Sequence, residues 1–402
     1  VLKKGETLTV GSQAFGSCAV LAKIALPEGL SEIPASMFYG CQTVEEIVIP
    51  STVASIGNKA FFGCSNLKSL IFTETPEGQT PVDLVILDTP NGSSDNGYTN
   101  SPFYGCTSLK NIVLPERLTV IGRLAFGGLV SGRYGEKYIP PFESISLPST
   151  LKEIHEMAFL NARNLKTVTF ASGTTLSDAC DGKAFAIGKQ AFYYCTSLTE
   201  IALPTSSEAT YSIGDTAFAY TGLKEISIPK AVGWLGSGVF NRSSDLAKVV
   251  FEAGANPKCG TSLFAYTAVS GVTLPEGVEA ISDYMFQGCV NLTSVTVPAS
   301  VKSIGISAFE SCQALAKVTF ATYEKDGKSY SNLISIDNYA FSKTGITSFT
   351  FPTLEGTKTL DLGNSLFRSC MKLETVGLSE SVAEIGTAFA DCFSIRSFVV
   401  DE

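Results

Sequence analysis

The sequence predicts a repeat solenoid of α/β type, with one short parallel strand per coil of about 23 residues and a convex side made mostly of irregular turns. Three observations carry this. Phe15, Phe38 and Phe61 fall 23 residues apart, each followed three positions later by Cys18, Cys41 and Cys64. A short apolar alternation of the form I-x-L recurs once per interval, first at 24–26. The same unit also covers essentially all 402 residues, although single cores stop growing near roughly 250 to 300 residues. A chain this long with no room for a separate globular domain reads as one array, residues 1–402.

Written out, the unit is A-F-x-x-C-x-x-L-x-x-I-x-L-P-x-x-V-x-x-I-G-x-x. Its clearest copies run through Phe38, Phe103, Phe286, Phe309 and Phe389, and fifteen copies can be anchored between Phe15 and Phe389. The I-x-L stretch alternates with period two, as a strand with one buried face must. It recurs at 47–49, 112–114, 201–203, 272–274, 295–297 and 376–378. A unit with one three-residue strand cannot close its own core, so it stacks on its neighbours and shares one apolar column. Fifteen strands at about 4.8 Å spacing imply a parallel sheet of about 70 Å.

The L-x-x-I-x-L stretch followed by a turn looks like a leucine-rich repeat. With L-P after the strand, I-G before A-F and Cys three after Phe, it resembles the BspA-like leucine-rich repeats of bacterial cell-surface and secreted proteins, over residues 8–400. The resemblance implies a right-handed leucine-rich repeat fold, an extracellular or cell-surface location, and a role in adhesion or binding. An export leader or lipid anchor would precede the repeats. The chain starts at Val1, and its first residues lack the apolar core of a signal peptide.

Composition narrows the function classes. Only 17% of residues are charged, which disfavours disorder and coiled coil. The net charge of −9 repels nucleic acid. No stretch reaches the 18 or so consecutive apolar residues of a membrane helix.

Nine of the eleven cysteines (Cys18, Cys41, Cys64, Cys106, Cys195, Cys289, Cys312, Cys370 and Cys392) share one repeat position, so periodicity explains them. They read as small apolar residues lining a tight inner turn, mostly reduced. Thr221, Thr267 and Thr344 fill the position in shorter copies, and Ala162 and Leu129 in two others, which no ligand set would tolerate. The single histidine, His155, occupies a turn position held by glycine in copies such as Gly57, Gly122 and Gly188. Neither a Ser-His-Asp triad nor a zinc site is legible, and no cofactor or metal is expected. Paired carboxylates for glycosidic cleavage have no favoured spacing.

Departures from the regular spacing locate insertions after the strand at 73–100, 171–183 and 321–333, with smaller ones beyond Phe351 and Leu203. All should emerge along one rim, a usual binding edge of repeat proteins. The stretch 131–142, with Tyr134 and Tyr138, leaves from the opposite rim, where the tyrosines meet a partner or cover a gap. Residues 73–100 carry Glu74, Glu77, Asp83, Asp88 and Asp95 and no Lys or Arg. Their P-V-D-L-V-I-L-D core alternates like an extra strand, and Asp88 with Asp95 lacks the spacing of an EF-hand calcium loop.

The outward residue of each strand is apolar early (Ala25, Val48, Ile71, Val113) and threonine later (Thr273, Thr296, Thr319, Thr350). An exposed apolar patch signifies interaction. Val48, Ile71 and Val113 are therefore candidate partner-binding residues. Trp234, the only tryptophan, and Tyr211, almost level with it one coil earlier, join them as typical hot-spot anchors. The expected function is a non-catalytic, monomeric binding module that contacts a protein or glycan through the concave sheet face and the insertion-bearing rim. The rivals are a structural spacer, with a uniformly polar concave face, and a carbohydrate-processing enzyme, with converging carboxylates.

Overall fold

A computed structural model describes residues 9–89, 100–128, 138–177, 185–205 and 210–400. It divides into two compact units, Val1–Gly222 and Leu223–Glu402. Each unit is built from stacked coils of parallel strands, with no α-helix among the described residues.

In the first unit, Lys23–Ala25, Glu46–Ile49 and Ser69–Phe72 pair in parallel, with Ile24 opposite Ile47 and Ile47 opposite Leu70. Each step is one repeat, so like residues stack on like. A second group joins Ser144–Leu147, Thr167–Phe170 and Glu200–Ile201. The periodicity predicts one strand per coil, but the structure adds a second at the V-x-x-I segment. Glu32–Ile33, Ser55–Ile56, Leu84–Ile86, Leu118–Ile121 and Glu153–Ile154 form this second parallel sheet. Leu84–Ile86 is thus no extra strand. It is the second-sheet strand of its own coil, displaced along the chain by the insertion, and its register shifts between Leu84 and Val85.

In the second unit, Glu225–Ile228, Lys248–Phe251, Gly271–Thr273, Ser294–Val297 and Lys317–Phe320 form the first sheet. Ser348–Thr350, Thr375–Leu378 and Ser397–Val400 form a separate group. The insertion at 321–333 folds as an antiparallel hairpin, Tyr323–Lys325 with Lys328–Tyr330. Its turn residues Asp326 and Gly327 both have positive φ, 52° and 74°, as the Asp-Gly pair of a two-residue hairpin turn requires.

The third side of each coil is the A-F turn. Its phenylalanines stack face to face, at 5.3 Å for Phe15–Phe38 and 4.9 Å for Phe159–Phe192, and at 5.4 Å for Phe286–Phe309 in the second unit. From Phe38 to Phe367 the column is buried, with Phe15 and Phe389 at its ends half-buried, and each buried ring is worth about 1.5–3 kcal/mol of transfer free energy. Beside them runs the thiol ladder. Sγ of Cys64, Cys106 and Cys312 donates to the carbonyl of Phe38, Phe61 and Phe286, one coil back, at 3.1 Å each. Thr267 and Thr344 meet the same need differently, bonding the carbonyl of their own Phe264 and Phe341 at 2.8 Å. The cysteines therefore act as compact hydrogen-bond donors as well as apolar filler, and those described are free.

Gly122 shows why most copies of the unit have I-G. A Cβ there would lie 2.3 Å from the carbonyl oxygen of Ile86 in the coil below. His155 occupies the same repeat position, and its ring is buried between two carboxylates: Nδ1 lies 2.6 Å from Asp88 Oδ1, and Nε2 lies 2.9 Å from Glu153 Oε2. Both ring nitrogens face acceptors, so the charged, doubly protonated form fits. His155 is a tie between coils as well as a turn residue.

Candidate functional site

The site grows from a local change in the repeat. In most coils the strand ends in an aliphatic residue followed by proline, as in Ile49-Pro50 and Leu147-Pro148. Four coils have phenylalanine and no proline: Phe72-Thr73, Phe170-Ala171, Phe251-Glu252 and Phe320-Ala321. Proline has no N–H to donate; the four substitutes do. Thr73 donates to Ile49 O at 2.9 Å, Ala171 to Leu147 O at 2.8 Å, Glu252 to Ile228 O at 3.0 Å and Ala321 to Val297 O at 2.9 Å. Each of these strands is bound one residue further to the coil before it. The phenylalanines are half-buried, whereas Ile49 and Leu147 are buried.

Pairing to the coil that follows is weak at the same points. Thr167–Phe170 meets its successor at two positions, Lys248–Phe251 at one, and Ser69–Phe72 and Lys317–Phe320 end their sheets. Grooves open beside three of them, of about 680 Å³ at Phe72, 520 Å³ at Phe170 and 440 Å³ at Phe251. The largest lies between Ser69–Phe72 and the stretch 112–114, and both Ile71 and Val113 line it. Ile71 is 43% exposed and Val113 78%. Val48 pairs with Ile71 in register and is half-buried, so it extends the apolar column away from the groove.

Arg117 underlies one end of the groove. It is only 6% exposed, and its guanidinium donates to the carbonyls of Val53, Val82 and Pro50. Pro50 and Val53 belong to the P-x-x-V segment two coils back. In the intervening coil the insertion after Phe72 replaces that segment, and Arg117 reaches across to the carbonyls it would have stacked on. Burial lowers the Arg117 pKa from its ordinary value, while Glu28 opposes the shift. Nε has no hydrogen-bond partner.

The two aromatic candidates fare differently. Trp234 is 39% exposed and lies in Val232–Leu235 of the second sheet, opposite Lys258, not in the first sheet. Tyr211 is a correction: it is fully buried, and its hydroxyl donates to Pro204 O at 3.1 Å. It sits two residues before Ile213 whereas Trp234 sits one before Leu235, and a one-residue offset turns a side chain to the opposite face. Tyr138 is likewise buried, capping Phe103 O through its hydroxyl at 2.9 Å. Tyr134 and Asp95 lie outside the described residues. Among the described residues, no cluster of His, Cys, Asp or Glu could hold a metal, and no helix is long and apolar enough to cross a membrane.

The family model for the BspA type leucine rich repeat region matches at residues 4–78, 94–134, 136–180, 181–290, 257–331 and 279–402. The chain belongs to the BspA-type leucine-rich repeat family. Among solved structures it is similar to a leucine-rich repeat protein from Bacteroides ovatus, at 25% identity over 95% of this chain and 92% of that one, with a TM-score of 0.60. A leucine-rich cell surface protein from Faecalibacterium prausnitzii shares 21% identity over 100% of this chain and 92% of that one, with a TM-score of 0.43. No curated protein matches the sequence. The Phe column, and at most copies the Cys column, recur from repeat to repeat of this chain. The Phe-nonproline coils and their grooves are where individual repeats of this chain depart from the shared unit.

Proposed function

We propose that this chain is a non-catalytic binding module of a bacterial surface or secreted protein, and that it holds a protein partner on the first sheet beside the insertion at 73–100. One observation carries the reading: two aliphatic side chains, Ile71 and Val113, stand exposed on the two lips of a single groove. Exposed apolar side chains gathered at one concavity are costly unless something covers them. Val48, in register with Ile71, enlarges the patch. By contrast, the corresponding residues Thr273, Thr296 and Thr319 of the second unit are polar and solvated. Apolar lips suit a polypeptide better than a glycan, whose hydroxyls call for a denser set of polar groups.

A protein and glycan array probed with the chain and with an Ile71→Glu/Val113→Glu double variant tests this. Protein hits that disappear with the variant are expected. Hits that survive it, hits confined to glycans, or turnover of an arrayed sugar would each contradict the reading.

A further inference from the structure

We propose that the groove between Ser69–Phe72 and 112–114 takes up one extended segment of the protein partner, which pairs with Ser69–Phe72 as an added β-strand and sets an acidic residue over Arg117. This rests on the binding reading above and specifies the conformation and chemistry of what binds.

The main chain supplies the first reason. Ser69 and Thr73 turn their N–H groups to the preceding coil, donating to Glu45 O and Ile49 O at 3.3 and 2.9 Å. In a strand the alternate residues face the other side. Leu70 and Phe72 therefore present N–H and C=O to the groove. In regularly paired coils the next coil occupies this edge, beginning with bonds such as Glu45 N to Ala22 O and Lys166 N to Glu143 O, both 2.7 Å. At this step the chain turns back on itself, Lys110 N to Ser108 O at 2.9 Å, and no backbone hydrogen bond joins 110–114 to Ser69–Phe72 among the described residues. The coils remain in contact on the turn side, where Phe61 and Phe103 stack at 5.4 Å. The opening is confined to the strand edge. An unpaired edge is a template for another extended chain.

Side chains and charge supply the rest. With Ile71 and Val113 on the two lips, an inserted strand bearing aliphatic residues at every second position covers both. Lys68 is matched by Glu45 at 3.1 Å, and Glu116 accepts from the amide and hydroxyl of Ser149. Arg117 hydrogen-bonds only to carbonyls, and among the described residues no carboxylate pairs with it directly, Glu28 acting on its charge from further away. A carboxylate on the incoming segment is the complement.

The test uses the full chain and the peptide acetyl-TVTVTE-amide, followed by amide NMR and hydrogen exchange. Two twins carry backbone N-methyl groups, one on the valines and one on the threonines. The amides of Leu70 and Phe72 should exchange quickly in the free chain and slow at least tenfold with peptide. One twin should bind at least tenfold more weakly than the other, and replacing the terminal Glu by Lys should weaken binding severalfold. The proposal is overturned if Leu70 and Phe72 are already as protected as the paired strands, if both twins bind equally, or if the peptide fails to bind at millimolar concentration. If an array partner still requires Ile71 and Val113 under any of those outcomes, the binding reading stands and only the added strand falls. If the array partner ignores both residues, the binding reading itself falls.

Discussion

At the residue scale, the stack enforces close approach, and that makes its glycines and thiols testable. Gly122→Ala would drive a methyl into the Ile86 carbonyl at 2.3 Å, and an overpacking cost of about 1–3 kcal/mol is expected in urea unfolding. Gly78→Ala meets nothing within 4 Å. It should cost only about 1–2 kcal/mol for its left-handed backbone. Burial raises several of the thiols above their ordinary value of 9.0, Cys64 to about 12 and Cys289 to about 11. Raised folded values mean that their contribution to stability is complete below pH 9 and is lost as pH climbs toward 11–12. Alkaline titration followed by circular dichroism should show loss of structure in that window. At pH 8 iodoacetamide should leave Cys64, Cys106, Cys195, Cys289 and Cys312 unlabelled in the native chain. The repeat position of these cysteines was legible in the sequence; the Phe carbonyl each one serves was not, because that acceptor lies a whole coil away. His155 was legible only as a turn residue, since Asp88 is 67 positions distant. His155→Asn should cost about 2 kcal/mol or more by leaving Glu153 and Asp88 without its two charged bonds.

At the element scale, the informative signal is the exchange of L-P for F-x at the end of the strand. The insertions themselves are visible by counting residues. The three long ones follow Phe72, Phe170 and Phe320, whose strands end their sheet or pair weakly with the coil ahead, whereas the shorter insertion after Phe351 leaves Ser348–Thr350 paired with the next strand. Thr73→Pro removes the bond to Ile49 O. A loss of about 1 kcal/mol is expected, read as a lower melting temperature. The second-sheet strands escaped the sequence because two residues are too few to show alternation, and Leu84–Ile86 resembled an extra strand because the insertion had moved it. The hairpin at 321–333 had its own signal, Asp326-Gly327 between Tyr323 and Tyr330. Tyr211 was misjudged by a single residue of register.

At the scale of the whole molecule, fifteen similar repeats make a scaffold on which exceptions stand out. In the first unit the outward column Val48–Ile71 is apolar, and it ends at a groove floored by a buried arginine. In the second unit the same face carries Ser227 and Val250 and then threonines at 273, 296 and 319. Sequence alone named Val48, Ile71 and Val113, because outward strand positions can be counted. It could not show that Ile71 and Val113 face each other across a broken ladder, nor that Arg117 lies beneath, because both follow from which coils fail to pair. The most direct test is a hydrogen-exchange footprint of the chain bound to a protein recovered from the array. Protection concentrated at 67–75 and 110–117, with the turn side around Tyr194 and Tyr220 unchanged, is the predicted result; protection on that turn side with none at 67–75 would contradict the account.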